Sequence, residues 1–210
     1  MKGKSIKVST LEKMLNASYA KDRPKTIDSY TLDEELSVPE VAVYFDSNTK
    51  KAKVIHRGTE GTLKDWTNNA QYALGNYMKT DRFRISKEVQ NKAEAKYGKS
   101  NIDTLSHSQG SVPARLLGND TANVINVNPA YLGEKHLSNE YILRSSRDPV
   151  SLVQGLKSMF IKNSNDITIP AKSFNPLTEH SYNILKRLPQ DQVIGRGLKG
   201  LKFRMRMKRT

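Results

Sequence analysis

Apolar residues along this chain recur at two spacings, and the switch between the two marks out its elements. Leu11, Met14, Leu15 and Tyr19 fall at helical intervals just after Ser9-Thr10-Leu11-Glu12, which has capping-box spacing, so a first helix is predicted there. Asp22 to Glu40 is polar, is interrupted by Pro24 and Pro39, and reads as loop. Val41 to Phe45 and Lys51 to His56 are short apolar-rich runs on either side of Asp46-Ser-Asn-Thr-Lys50, the pattern of a hairpin. Arg57-Gly-Thr-Glu-Gly61 breaks the pattern, and Thr62-Leu-Lys-Asp65 then opens a second helix with Trp66, Ala70, Ala73 and Leu74 on one face. Ile85, Val89, Ala93 and Tyr97 stand four apart, which predicts a third helix closed by Gly98.

Beyond Gly98 the pattern alternates between strand and helix. Asn101 to Leu105, Asn123 to Val127 and Tyr141 to Ser145 read as strands, with Val112, Leu116 and Leu117 on a helix after the first of them. Such alternation predicts an α/β fold with a mostly parallel central sheet and helices on both faces. Ligands of such sheets bind beyond the carboxyl ends of the strands. A length of 210 residues fits one domain with a single core, placed here at 1–185 and followed by a basic C-terminal tail at 186–210.

Composition changes this picture in two ways. The chain has no cysteine, which excludes disulfides, thiolate nucleophiles and cysteine-based zinc sites and is compatible with a reducing compartment. Met1 to Thr10 is basic but leads into no apolar run, and no stretch approaches a membrane span, so no signal peptide is expected and the cytoplasm or another reducing compartment is the expected location. The formal net charge is +14, and the last 25 positions hold nine Lys/Arg against the single Asp191. A tail of this kind calls for an anionic partner. From Leu201 to Lys208 apolar and basic residues alternate, which suits residues 196–209 to peripheral contact with an anionic membrane surface or to nucleic acid.

Ser106-His107-Ser108-Gln109-Gly110 closes one apolar run and opens a helical one. This is the pattern of a nucleophile elbow, in which a serine on a strained strand-to-helix turn projects its hydroxyl above the sheet between small neighbours. A serine hydroxyl needs a base in reach, an acid to orient that base, and donors for the oxyanion. In a strand-helix architecture the partners follow the nucleophile in the order acid, then histidine. His56 precedes Ser108 and His107 lies within the elbow, so both read as structural, and His136 and His180 remain as bases. Asp148, in Arg147-Asp148-Pro149-Val150 just past an apolar strand, stands where a sheet presents its acid, with Asp166 as the substitute. His180 follows in Glu179-His180-Ser181-Tyr182, read as the start of a helix.

Several blocks occur together and in order: Val54-Ile-His-Arg-Gly-Thr59, Asp65-Trp66, Ser106-His-Ser-Gln-Gly110, Asp148-Pro-Val150 and His180-Ser-Tyr182. Over about residues 30 to 185 the chain resembles the class 3 lipase family, whose members carry R-G-[ST], D-W, G-H-S-x-G, D-P-V and a late histidine in this sequence. The resemblance implies an α/β-hydrolase fold with Ser108 as nucleophile, Asp148 as orienting acid and His180 as base. It also implies oxyanion donors at the backbone N–H of Gln109 and at the backbone or hydroxyl of Thr59. Ser106 and Ser111 stand where the family commonly has glycine. The spacings are short, and Thr62 to Arg84 offers no strongly apolar flap, so the resemblance is to a small member with a short lid or none.

Together these readings predict a serine ester hydrolase of the lipase, phospholipase or esterase type. It would act on a lipid or small ester without metal or cofactor. The alternative keeps the fold without the chemistry, as a protein binding nucleic acid or anionic membrane through its basic tail.

Overall fold

The computed structural model describes residues 6–59, 77–130, 136–150 and 165–195. In chain order these form β1 (Ile6–Lys7), α1 (Val8–Tyr19), β2 (Thr26–Ile27), β3 (Tyr30–Leu32), β4 (Val41–Asp46), β5 (Lys51–His56), α2 (Asp81–Tyr97), β6 (Ile102–Ser108), α3 (Ser111–Leu117), β7 (Asn123–Pro129), β8 (Glu140–Ser145), β9 (Asp166–Ile169), α4 (Pro176–His180) and β10 (Val193–Ile194). The predicted hairpin forms, with Val41 opposite His56 and Asp46 opposite Lys51. From it the sheet extends both ways, in the order β2-β3-β4-β5-β6-β7-β8-β9. Neighbours are antiparallel from β2 to β5 and parallel from β5 to β9.

Strand periodicity explains how the sheet is covered. Ala42, Tyr44, Ile55 and Leu105 point to one face, where they meet Leu11, Met14 and Leu15 of α1 together with Ile184 and Leu185 of a short 3-10 turn. Val41, Val43, Val54 and Ile102 point to the other, where they meet Val89 and Ala93 of α2. Helices therefore cover both faces, and β6 and β7 are buried along their whole length.

Register is pinned by polar residues as well as apolar ones. Lys53, Asp103 and Asn123 lie side by side on β5, β6 and β7. Lys53 pairs with one Asp103 oxygen, and Asn123 donates to the other at 2.6 Å. A slip of one residue would strand a buried charge on the wrong face, which costs far more than the slip of an apolar strand.

Some elements differ from the sequence expectation. Helix α1 starts at Val8 behind Lys7, and no side chain caps it. Its first N–H groups are taken instead by a neighbouring turn, Val8 donating to the Gln192 carbonyl at 2.8 Å and Ser9 to that of Gln190 at 3.1 Å, so the capping box at Ser9 is not used. The segment read as loop carries β2 and β3. Helix α2 starts a turn earlier than its apolar stripe, because the Thr80 side chain accepts from the Phe83 N–H; Gly98 ends it at φ +81°. Part of the segment assigned to the basic tail belongs to the folded unit, since Leu188 and Ile194 are buried and β10 pairs with β1. Thr62, Asp65, Trp66 and residues 196–209 lie outside the described residues. Among the described residues no helix is long and apolar enough to cross a membrane.

Candidate active site

Strand β6 runs three residues beyond its predicted end and delivers Ser108 to the carboxyl edge of the parallel strands. Its pairing with β7 shifts between His107 and Ser108, and Ser108 itself has φ +54°. A non-glycine residue in that region is strained, and a strained serine between strand and helix is what an elbow requires. Gly110 is needed for space: a Cβ there would stand 2.1 Å from the His56 carbonyl oxygen. Ser106, two residues before Ser108, is fully buried, and its hydroxyl donates to the Asn126 side chain. Asn126 in turn donates to Glu140 at 2.7 Å, and Arg115 pairs with that carboxylate at 3.1 Å. Ser106 thus brings a polar atom into the core together with its partner.

His180 and Asp148 meet Ser108 from two further elements. His180 stands at the end of α4, not at the start of a helix, because Asn175 caps the preceding turn by accepting from the Leu177 N–H. Its Nδ1 lies 2.7 Å from Asp148 Oδ1 and its Nε2 lies 2.8 Å from Ser108 Oγ. A carboxylate only accepts, so Nδ1–H donates to Asp148 and Nε2 is left to accept from the serine hydroxyl. All three residues are buried. The remaining candidates sit elsewhere: His136 and Asp166 face each other at 3.6 Å, at the opposite, amino-terminal edge of β8 and β9. His56 lies 3.1 Å from the Gln90 side chain, and burial pushes its ring down to about 4.

Two residues with no sequence signal hold the His180 loop. Asn128, at φ +42° near the end of β7, donates to the carbonyls of Glu179 at 2.8 Å and Ser181 at 3.1 Å, one on each side of His180. It also accepts from the Ser145 N–H at 2.9 Å, which ties the loop to the strand before Asp148. Glu179 is the second. Its carboxylate accepts from Arg187 at 2.7 and 3.0 Å, from the N–H groups of Lys172 and Ser173 at 3.1 and 2.7 Å, and from the Ser145 hydroxyl.

Burial works to raise the Glu179 carboxyl, but Arg187, Ser145 and the backbone donors together outweigh it and hold the group down to about 2. A carboxyl depressed on folding stabilises the fold fully above its unfolded value near 4.5 and loses that contribution as pH falls toward 2. Glu179→Gln is therefore expected to lower the melting temperature at pH 7 and to flatten its decline between about pH 5 and pH 2. Circular-dichroism melts across that range test this; parallel wild-type and variant curves would sink it.

The residues named for the oxyanion lie together beside Ser108. The Thr59 hydroxyl donates to the Gln109 side-chain oxygen, which leaves the Thr59 backbone N–H as its remaining donor. Gln109 directly precedes Gly110, the cap of α3. Arg82, on α2, donates to the Arg57 and Gly58 carbonyls at 2.6 and 2.9 Å and so braces the loop from behind. Among the described residues no group of three or more His, Cys, Asp or Glu is placed to hold a metal ion.

No protein-family model matches the sequence, and no curated protein matches it. Among solved structures, the chain is similar to a lipase from Yarrowia lipolytica, at 14% identity and a TM-score of 0.52, over 93% of this chain and 88% of that one. It is also matched to a triacylglycerol lipase from Penicillium expansum, at 12% identity and a TM-score of 0.39, over 79% of this chain and 76% of that one. At such identities likeness speaks for architecture. The chain has an α/β-hydrolase fold, a mostly parallel central sheet with helices on both faces.

Proposed function

We propose that this chain is a serine ester hydrolase acting on lipid acyl esters, with Ser108 as nucleophile, His180 as base and Asp148 as its orienting acid. The observation that carries this reading is the unbroken chain from Ser108 Oγ through His180 to Asp148, at 2.8 and 2.7 Å, on a serine held at φ +54°. His180 Nε2 takes the hydroxyl proton as Oγ attacks the acyl carbonyl, and Asp148 stabilises the imidazolium that forms. The backbone N–H groups of Gln109 and Thr59 hold the oxyanion. As the tetrahedral intermediate collapses, the same Nε2 proton passes to the departing alcohol, leaving an acyl group on Ser108. Water activated by His180 then adds to that ester, and the acid leaves with Ser108 reprotonated.

The lipid assignment has two supports. The Yarrowia lipolytica protein of similar fold is named a lipase. Phe174 and Leu177, 89% and 58% exposed on the segment leading to His180, present apolar surface beside the site, and Arg147 lies against the Phe174 ring at 4.3 Å.

A fluorophosphonate probe tests the proposal. Wild type should be labelled stoichiometrically, and Ser108→Ala should lose both labelling and hydrolysis of short and long acyl esters. An unlabelled wild type that still binds anionic polymer in a salt-sensitive way would replace this reading with that of a non-catalytic binding protein acting through the basic tail.

A further inference from the structure

Tyr19, at the end of α1, is far from Ser108 in sequence, yet its hydroxyl joins three parts of the site. The Gly58 N–H donates to Tyr19 Oη at 2.7 Å. Tyr19 Oη lies 2.7 Å from His107 Nδ1, and His107 Nε2 lies 2.8 Å from the backbone carbonyl oxygen of His180. A carbonyl can only accept, so the His107 proton sits on Nε2, and Nδ1 of the neutral ring accepts from the tyrosine. Every direction in the chain is thereby fixed. Gly58 N–H donates to Tyr19, Tyr19 O–H to His107, and His107 N–H to His180.

The surroundings keep the chain in that state. Burial, followed by the neighbouring His180, pushes the His107 ring down to about 3, so it stays neutral at ordinary pH. Burial likewise pushes the Tyr19 phenol well above its usual range, so its proton is retained. Tyr182 stacks on Tyr19 at 5.7 Å and meets His107 edge-on at 5.5 Å, which fixes both rings.

The loop at the far end of the chain has little freedom of its own. A Cβ on Gly58 would lie 2.6 Å from Tyr19 Oη and 2.9 Å from Ser108 Cβ, so the backbone there rests against both. Arg82 holds the Gly58 carbonyl from the other side at 2.9 Å. In a trans peptide the carbonyl and the following N–H point in opposite directions, so anchoring that carbonyl turns the Thr59 N–H away from Arg82.

We infer that Tyr19 and His107 are positioning residues, a hydrogen-bonded chain that ties the Gly58–Thr59 peptide to the backbone of His180. The oxyanion donor and the base then reach Ser108 in one fixed relation. This inference rests on the function proposed above. In this role both act by holding the groups that meet the substrate. An error of about 1 Å in such an arrangement costs on the order of a hundredfold in rate.

The test is Tyr19→Phe, which removes one oxygen and leaves the ring. Its kcat on a soluble acyl ester should fall about 10- to 100-fold with KM changed less than about twofold, and fluorophosphonate labelling should slow by the same factor. His107→Gln, which keeps a donor and an acceptor, should retain more activity than His107→Leu. The double variant Tyr19→Phe/His107→Leu should be no slower than the worse single variant, because both cut one chain. Labelling of Tyr19→Phe at the wild-type rate, or a loss of activity that only follows the unfolded fraction in thermal melts, overturns the inference. If Tyr19→Phe does not fold, equal rates for His107→Gln and His107→Leu overturn it. An unlabelled wild type is a different failure, since it removes the role of Ser108 itself and this inference with it.

Discussion

Replacing His180 with alanine is expected to lower kcat for ester hydrolysis by about 10⁵- to 10⁶-fold while leaving KM nearly unchanged. The size of the effect follows from the absence of a substitute base among the described residues. His107 commits both ring nitrogens, one to Tyr19 and one to the His180 carbonyl. His56 is turned to Gln90, and His136 stands at the opposite edge of the sheet beside Glu140 and Asp166. Asp148→Asn is expected to cost less, about 10⁴-fold, because an amide in place of the carboxylate can favour the tautomer that puts the proton on Nε2. Steady-state kinetics on a soluble acyl ester, with Ser108→Ala and the Ser108→Ala/His180→Ala double variant alongside, give the decisive comparison. Residues that act as a unit do not add, so the double variant should be no slower than either single one. A loss below about tenfold for His180→Ala, or additive losses in the double variant, would remove His180 from the chemistry.

The sequence made some of this site legible and left its supports invisible. Ser108, Asp148 and His180 come from three separate elements, and the order of those elements along a strand-helix alternation places the first two at one edge of the sheet, with the histidine returning to them. That order is written in the apolar runs of β6 and β8. Tyr19, Arg82 and Asn128 carry no comparable mark, because each holds the site largely by bonding to backbone groups of distant segments, and Glu179 carries none because its partners are turn N–H groups and the Arg187 and Ser145 side chains. Tyr19 sits on a helical apolar stripe, and its periodicity speaks only for the ring, not for the hydroxyl. The fold divides in the same way. Strands with most residues buried, such as β4 and β8, show as apolar-rich runs, whereas β2, β3 and β9 are short and partly exposed and read as connections. Where the Ser9 capping box went unused, a turn from the far end of the chain supplied the acceptors, at the Gln190 and Gln192 carbonyls.

Gly110→Ala is expected to be the most damaging single-methyl change in the elbow, destabilising the fold by about 3 kcal/mol or more. Its φ is −58°, so the conformation suits any residue and the constraint is space alone. The added Cβ would stand 2.1 Å from the His56 carbonyl oxygen, 2.7 Å from its carbon and 2.9 Å from the Arg57 carbonyl oxygen. All three are backbone atoms at the end of a sheet strand, so no rotamer change relieves the contact. Either α3 lifts from β5 or the strand end moves, and the second route displaces Gly58 and Thr59 with it. Folded Gly110→Ala should therefore also react more slowly with a fluorophosphonate. Ser106→Gly is the matched control at the other small position. There the hydroxyl is lost and the Asn126 oxygen loses its donor, at about 1 to 3 kcal/mol, while the backbone contacts of the elbow stay intact. Urea denaturation should order the three proteins wild type, Ser106→Gly, Gly110→Ala by midpoint, with labelling kept in Ser106→Gly. A Gly110→Ala midpoint equal to that of wild type would mean that strand and helix do not approach as closely as the geometry at His56 requires.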